Sequence, residues 1–317
     1  MRRKLYIPYE VKESIRKHIK IATEKAVDGY FSANEDEDTM TGQLGILLKC
    51  KTRKVRVVQS EISGYWKWSI DYHKFRGHGP GATESHLGAD GVFELKLYMG
   101  SRTDKKSILF QAKLDWKRNA RILEQCIKLS TWREAAFLLN FTQSGFEAFS
   151  IDDVLLSRGV KPDVSKASQF ADFFSGKFIE CIVGDTDMYY DARSRKLIWR
   201  TMDGEIVATR FPLKQRVSLN VIAPTYGFDS PQRIDREISN EEIHKYRMNA
   251  TPEEMLSLGV DYTNRQIREA KKLKALAYHP DKFGMLDDAF LQILNRRMQE
   301  FNIMVDLVKK RRQEIHG

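Results

Sequence analysis

Apolar residues recur at steps of three and four from Tyr9 to Phe31, so that Val11, Ile15, Ile19, Ala22, Ala26 and Tyr30 share one side of a helix. Four acids, Glu35 to Asp38, follow, and then Met40, Leu44, Leu47 and Leu48 at helical spacing. Acids at that place suit a helix N-terminus, as caps and through the helix dipole. The period then shortens to two. Lys54 to Ser60 and Tyr65 to His73 read as strands, followed by a loop rich in Gly and His from Phe75 to Gly88. Two β-rich runs, Asp90 to Met99 and Ser107 to Leu114, flank the polar turn Ser101 to Lys106, which predicts a hairpin. Ala120 to Trp132 returns to helical spacing through Ile122, Leu123, Cys126, Ile127 and Leu129. Ala135 to Phe141 and Gly145 to Phe149 are strand-like, and Ile151 to Ser157 is a short helix.

Past Phe170 the pattern breaks into short segments. Lys177 to Val183, Met188 to Tyr190, Lys196 to Arg200 and Glu205 to Arg210 predict strands joined by turns such as Asp203-Gly204, ending near Val221 to Pro224. Residues 226–249 carry Gly, Pro, Ser and dense charge, the composition of a linker with one short helix. Thr251-Pro-Glu-Glu then reads as a helix cap with proline at the first position. Ile267, Ala270, Leu273, Leu276 and Ala277 form a helical stripe that runs into Tyr278-His279-Pro280-Asp281-Lys282. A last helix starts at Asp287 or Asp288 and carries Phe290, Ile293, Leu294, Phe301, Met304 and Leu307. The expected division is an α/β core over 1–160 with a mixed sheet flanked by helices, a β-rich extension of it over 161–225, a linker over 226–249 and an all-α domain over 250–317.

Length and charge narrow the classes. A chain of 317 residues can bury a substantial core. A net charge of +10 favours a polyanionic partner, without separating DNA from RNA or an anionic membrane. Cys50, Cys126 and Cys181 lie far apart with no Cys-x-x-Cys pair, which argues against a disulfide framework or a zinc site and for a reducing compartment. No apolar run reaches signal-peptide or membrane-spanning length, so the expectation is a soluble, cytoplasmic chain with no membrane partner.

Strand alternation makes certain polar residues conspicuous. Asp90, Val92 and Glu94 share one face of the first hairpin strand, and Gln111 and Lys113 share one face of the second, so a carboxylate and a Gln-x-Lys can converge at one end. The plainer reading makes Asp90 a turn residue in Gly-Ala-Asp-Gly and leaves Gln111 and Lys113 facing water. The arrangement resembles the PD-(D/E)xK nuclease superfamily, in the Mrr-like branch where Gln-x-Lys replaces acid-x-Lys. The order hairpin, Gln-x-Lys, helix, hydrophobic strand is similar to that family's restriction-endonuclease-like core. The resemblance implies Mg2+, with Mn2+ as a substitute, held by Asp90, the Gln111 side-chain oxygen and the Ala112 carbonyl, and Lys113 steadying the nucleophile or the phosphate. It also implies a helical acid completing the site, with Glu37 as first candidate and Asp38 as second. A simple cap cluster is the competing account of those acids.

Lys117, Arg118, Arg195 and Lys196 are candidate phosphate contacts or else solvated charge. His78 and His86 are candidates for substrate binding or proton transfer. Trp66 and Trp68 are available either to the core or to stacking on bases.

The C-terminal pattern of Leu-Gly-Val, amphipathic helix, His-Pro-Asp loop and partner helix resembles a J domain of the DnaJ family. That resemblance implies an Hsp70-type chaperone as partner, contacted by His279, Pro280 and Asp281 and by the basic residues Arg268, Lys271, Lys272 and Lys274. The module is C-terminal and lacks a Gly/Phe-rich linker, a departure from ordinary cochaperones. A basic helical hairpin of this kind also suits nucleic acid or a dedicated partner. Together the two resemblances imply a metal-dependent DNA endonuclease with a recruiting module, similar to bacterial defence systems against phage or plasmids. The alternative is a J-domain cochaperone whose N-terminal domain only binds nucleic acid or protein. A subunit licensed by other members of a defence complex is a third possibility, and a homodimer would place two sites for two strands.

Overall fold

In the computed structural model the described residues are 5–33, 36–58, 63–75, 88–117, 120–130, 132, 135–200, 206–210, 213–224, 252–256, 258, 262–278 and 288–316. They form a mixed α/β structure around one large sheet. Two helices open the chain, α1 (Tyr9–Ala33) and α2 (Glu37–Leu48). The sheet is built from β1 (Cys50–Val57), β2 (Gly64–Lys74), β3 (Gly91–Met99), β4 (Arg102–Leu114), β5 (Ala136–Thr142), β6 (Gly145–Ser150), β7 (Ser168–Gln169) and β11 (Gln215–Ile222), in the order β1-β2-β11-β3-β4-β5-β6-β7. β11 runs parallel to β3, and β4 parallel to β5; the other neighbours are antiparallel.

Two layers of helix explain why the central strands are apolar on both faces. Every residue of β5 is buried. Phe93, Leu95, Phe110, Ala112, Phe137 and Leu139 pack with Val11, Ile15 and Ile19 of α1 and Met40, Leu44 and Leu48 of α2. Val92, Leu109, Leu138 and Phe149 look the other way, toward Ile122, Cys126 and Leu129 of α3 (Ala120–Leu129) and Val154 of α4 (Ile151–Leu156). α2 lies close to the sheet at Gly45, where a Cβ would sit 2.2 Å from the Tyr72 ring. Trp66 and Trp68 are fully buried in the α1 layer, and the Trp68 indole donates to Ser14, so neither is available to a base.

A three-stranded sheet, β8 (Met188–Asp191), β9 (Lys196–Arg200) and β10 (Ile206–Arg210), joins the α3 side, with Met188, Leu197, Trp199 and Val207 in that core. The same core takes Ile267 and Ala270 of α5 (Asn264–Tyr278) and Phe301, Met304, Val305 and Val308 of α6 (Asp288–His316). The Tyr262 carbonyl, just ahead of α5, accepts from Arg312 near the end of α6, so the two helices run antiparallel.

Two expectations need correction. The segment Lys177–Val183 is not a strand; it completes a helical stretch, Phe170–Asp172 continuing into the π-helical Phe173–Phe178, followed by turns. Phe170, Phe173, Phe174 and Phe178 pack on Phe93 and Phe137 or on one another, and burial of those rings outweighs the β-branched character of Ile182 and Val183. Nor is all of 161–225 an extension, because β11 lies inside the core sheet between β2 and β3.

Candidate metal centre

β3, β4 and β11 end together at a cleft of about 760 Å³. Asp90 immediately precedes β3, and its backbone is held from both sides. Its N–H donates to Phe110 (2.8 Å), while its carbonyl accepts from Lys214 (3.0 Å) and Gln215 (3.2 Å). Gly91 follows because a Cβ there would meet the Phe110 ring at 2.5 Å and the Gln215 carbonyl at 2.7 Å. Strand pairing thus fixes where the carboxylate points before any side-chain contact is made.

Asp90 is 4% exposed. Oδ2 accepts from the Ala112 N–H (2.8 Å) and from the Gln111 amide. The Gln111 amide also reaches the Ala112 carbonyl at 3.2 Å. Oδ1 is buried and has no hydrogen-bond partner among the described residues, and the Lys214 ammonium lies 3.8 Å away. Burial pushes the carboxyl up to about 7; the Ala112 N–H opposes this, Glu37 adds to it and Lys113 opposes it.

Lys113, two residues past Gln111, meets Glu37 at 3.1 and 3.2 Å. Glu37 stands in the first turn of α2, whose N-cap is Asp36, accepting from the Thr39 N–H at 2.8 Å. Burial raises the Glu37 pKa, against the pull of Lys113. Asp38 lines the same cleft but pairs with Lys74 at 2.9 Å, both about half exposed. The geometry therefore brings Asp90, Gln111, Ala112, Lys113 and Glu37 together, with Asp38 at the rim.

Lys117 also lines the cleft, whereas Arg195 and Lys196 do not. The Arg195 guanidinium lies 5.8 Å from the Phe75 ring centre, and Lys196 is exposed on β9. Arg118, His78, His86 and the His279-Pro280-Asp281 tripeptide lie outside the described residues, as does the Lys274 side chain. Arg268, Lys271 and Lys272 are exposed on α5. Three cleft residues carried no sequence signal that singled them out. Lys214 enters from the position just before β11, and Arg121 and Gln125 from α3. Gln125 Oε1 is a second buried oxygen at the cleft without a hydrogen-bond partner among the described residues.

Among the described residues no group of three or more His, Cys, Asp and Glu gathers as a metal site. The donors gathered around Asp90 are instead its own carboxylate and that of Glu37, side-chain amides and a carbonyl, while Asp36, Asp38 and Asp115 also line the cleft. They fit a hard cation in one specific respect: Asp90 Oδ1 is a buried acceptor that lacks a hydrogen bond, and oxygen ligands are what Mg2+ takes. Cys126 and Cys181 are buried and Cys50 partly so, all as free thiols. Among the described residues no helix is long and apolar enough to cross a membrane.

The chain matches no protein-family model, and neither the curated proteins nor the solved structures contain a match to it.

Proposed function

We propose that the chain is a divalent-metal-dependent endonuclease of the PD-(D/E)xK type, in its Gln-x-Lys form, acting on DNA. The observation that carries this reading is the meeting of a buried carboxylate with one unbonded oxygen and an ammonium–carboxylate pair, Asp90 beside Lys113 and Glu37, at the ends of β3 and β4. The parallel pairing of β4 with β5 across α3 agrees with the core expected of that superfamily.

Asp90, Glu37, the Gln111 oxygen and the Ala112 carbonyl are the groups that would hold Mg2+ or Mn2+. When bound, the cation supplies Lewis acidity and neutralises charge at a phosphodiester. The chain's own residues do the rest. The Ala112 N–H and the Gln111 amide orient the Asp90 carboxylate. Lys113 presents a positive charge to the scissile phosphate as its negative charge grows. Lys117, Arg121 and Lys214 line the cleft as counter-charges for the flanking backbone.

The C-terminal helices belong to the proposal as a recruiting module for an Hsp70-type chaperone or another subunit, and a bacterial defence role in the cytoplasm rests on resemblance alone. ATPase stimulation of an Hsp70 partner, lost in His279→Gln, tests that part. The nuclease is tested on supercoiled, linear and single-stranded DNA with Mg2+ and Mn2+. Metal-dependent nicking should disappear with EDTA and fall at least ~100-fold in Lys113→Ala. Cutting by Lys113→Ala at the wild-type rate would overturn the assignment.

A further inference from the structure

Over β1, β2 and β11 one face of the sheet is covered by neither helical layer among the described residues. On β1, β2 and β11, residues such as Trp66, Trp68, Leu219 and Val221 face the α1 and α2 layer. Their neighbours along each strand point to the opposite side. There the register sets Lys54 beside Lys67, Lys67 beside Ile222, and Ile222 beside Tyr98 of β3. The adjoining rows place Arg56 beside Tyr65 and Asn220 beside Lys96. Lys54, Arg56 and Lys67 are exposed, Tyr65 is 61% exposed and Ile222 42%. The acid on this part of the face, Asp71, is engaged by the Asn220 amide at 2.8 Å.

We infer that this open face of β1, β2, β11 and β3 is a binding platform for single-stranded nucleic acid, separate from the cleft. Lys96 lies six residues along β3 from Asp90, about 20 Å at strand rise, and the intervening stretch is taken up by the buried Glu94–Arg216 pair and by β8. Among the described residues on this face of these strands three exposed cations, Lys54, Arg56 and Lys67, stand against one exposed acid, Asp71, which makes the patch a match for a polyanion; Lys96 at its edge is paired with the buried Glu94 at 3.8 Å. Exposed tyrosine interleaved with lysine is the arrangement on which unpaired bases stack while the backbone is neutralised. A duplex fits less well. Four strands at about 4.8 Å spacing make a surface wider than the major groove, about 12 Å across, which admits a helix or a two-stranded ribbon. The inference stands whether or not the cleft cuts phosphodiesters, since binding needs neither metal nor turnover.

The test is fluorescence anisotropy in EDTA with the full chain. The probes are a labelled oligothymidylate of about 20 nucleotides, a duplex of the same length, and polyglutamate as a competitor. Lys54→Glu/Arg56→Glu/Lys67→Glu should weaken oligothymidylate binding at least tenfold and lower the slope of log affinity against log salt by about two. Tyr65→Ala should weaken it about tenfold with the salt slope unchanged, and Tyr65→Phe should restore it. Unchanged oligothymidylate affinity in both the charge-reversed and the Tyr65→Ala proteins overturns the platform. Equal losses for duplex and single strand, or displacement by polyglutamate at the same charge concentration, overturn its assignment to single strands.

Discussion

Asp90, just ahead of β3, and Glu94 within it lie four residues apart, and both are almost wholly buried, at 4% and 2% exposure. Their surroundings are opposite. Glu94 Oε1 accepts from the Tyr190 N–H, Oε2 accepts from Arg216 and from the Ser218 hydroxyl, and Lys96 stands 3.8 Å away. Each oxygen has a donor and the charge has a counter-charge, so Glu94 joins β3 to β11 and to β8 as a structural ion pair. Asp90 has donors on one oxygen only, and its nearest cation on the other side is Lys214 at 3.8 Å. Burying a carboxylate without full compensation is costly, and a site that binds a cation is where that cost has a use. Burial alone does not distinguish the two residues; the unbonded oxygen facing a cleft does.

This contrast makes the two carboxylates respond oppositely to removal. Asp90→Asn should reduce metal-dependent cleavage by roughly a thousandfold or more, on the order of 4 kcal/mol of transition-state stabilisation, while stability toward urea at pH 8 does not fall. Full activity in Asp90→Asn would erase the distinction. Glu94→Ala should do the reverse to the fold, costing about 3 kcal/mol in the same titration, because it strands the partly buried Arg216 and the Tyr190 N–H.

A smaller effect appears in pH and metal dependence. The Asp90 carboxyl is raised to about 7 in the folded chain, so the fold holds its proton more tightly than the unfolded chain does. Its contribution to stability is full below the ordinary carboxylate pKa, about 4, and is lost as pH rises toward 7. Wild type should therefore lose stability relative to Asp90→Asn across that window, at roughly 1 kcal/mol per pH unit. Mg2+ at about ten times its dissociation constant should return about 1.4 kcal/mol to wild type at pH 8 and nothing to Asp90→Asn. Thermal unfolding with and without Mg2+ reads both.

The smallest effect separates the two helical acids. Asp38→Asn removes a half-exposed pair with Lys74 and should shift stability by less than about 0.5 kcal/mol, leaving cleavage within about threefold of wild type. A loss from Asp38→Asn as large as one from Glu37→Gln would make Asp38 the completing acid.

The co-location of Asp90, Gln111 and Lys113 was legible because a hairpin with period-two alternation puts those positions on one face, and Glu37 followed from its helical phase with Met40 and Leu44. Both are local relations. Lys214 was not legible. It reaches the cleft because Gln215–Ile222 pairs in parallel with Gly91–Tyr98, more than a hundred residues earlier in the chain, and no nearby residue encodes that partnership. Arg121 and Gln125 were placed correctly on a helix, yet which of its residues would overhang Asp90 depended on how α3 docks. Lys177–Val183 was misread as a strand because the rings of the helical run that leads into it, Phe173–Phe178, are buried by distant strands, and such contacts override local propensity.

Hydrophobic period and polar punctuation were enough to specify the first helices, the hairpin, the helix after it and the antiparallel pair at the C-terminus, since each depends on backbone geometry repeating over a few residues. The order of strands, the place of β11, the orphaned Asp90 oxygen and the uncovered sheet face arose only from docking of the whole chain. Burial and hydrogen-bond satisfaction are sums over every neighbour a group acquires, and most of those neighbours are remote along the polymer.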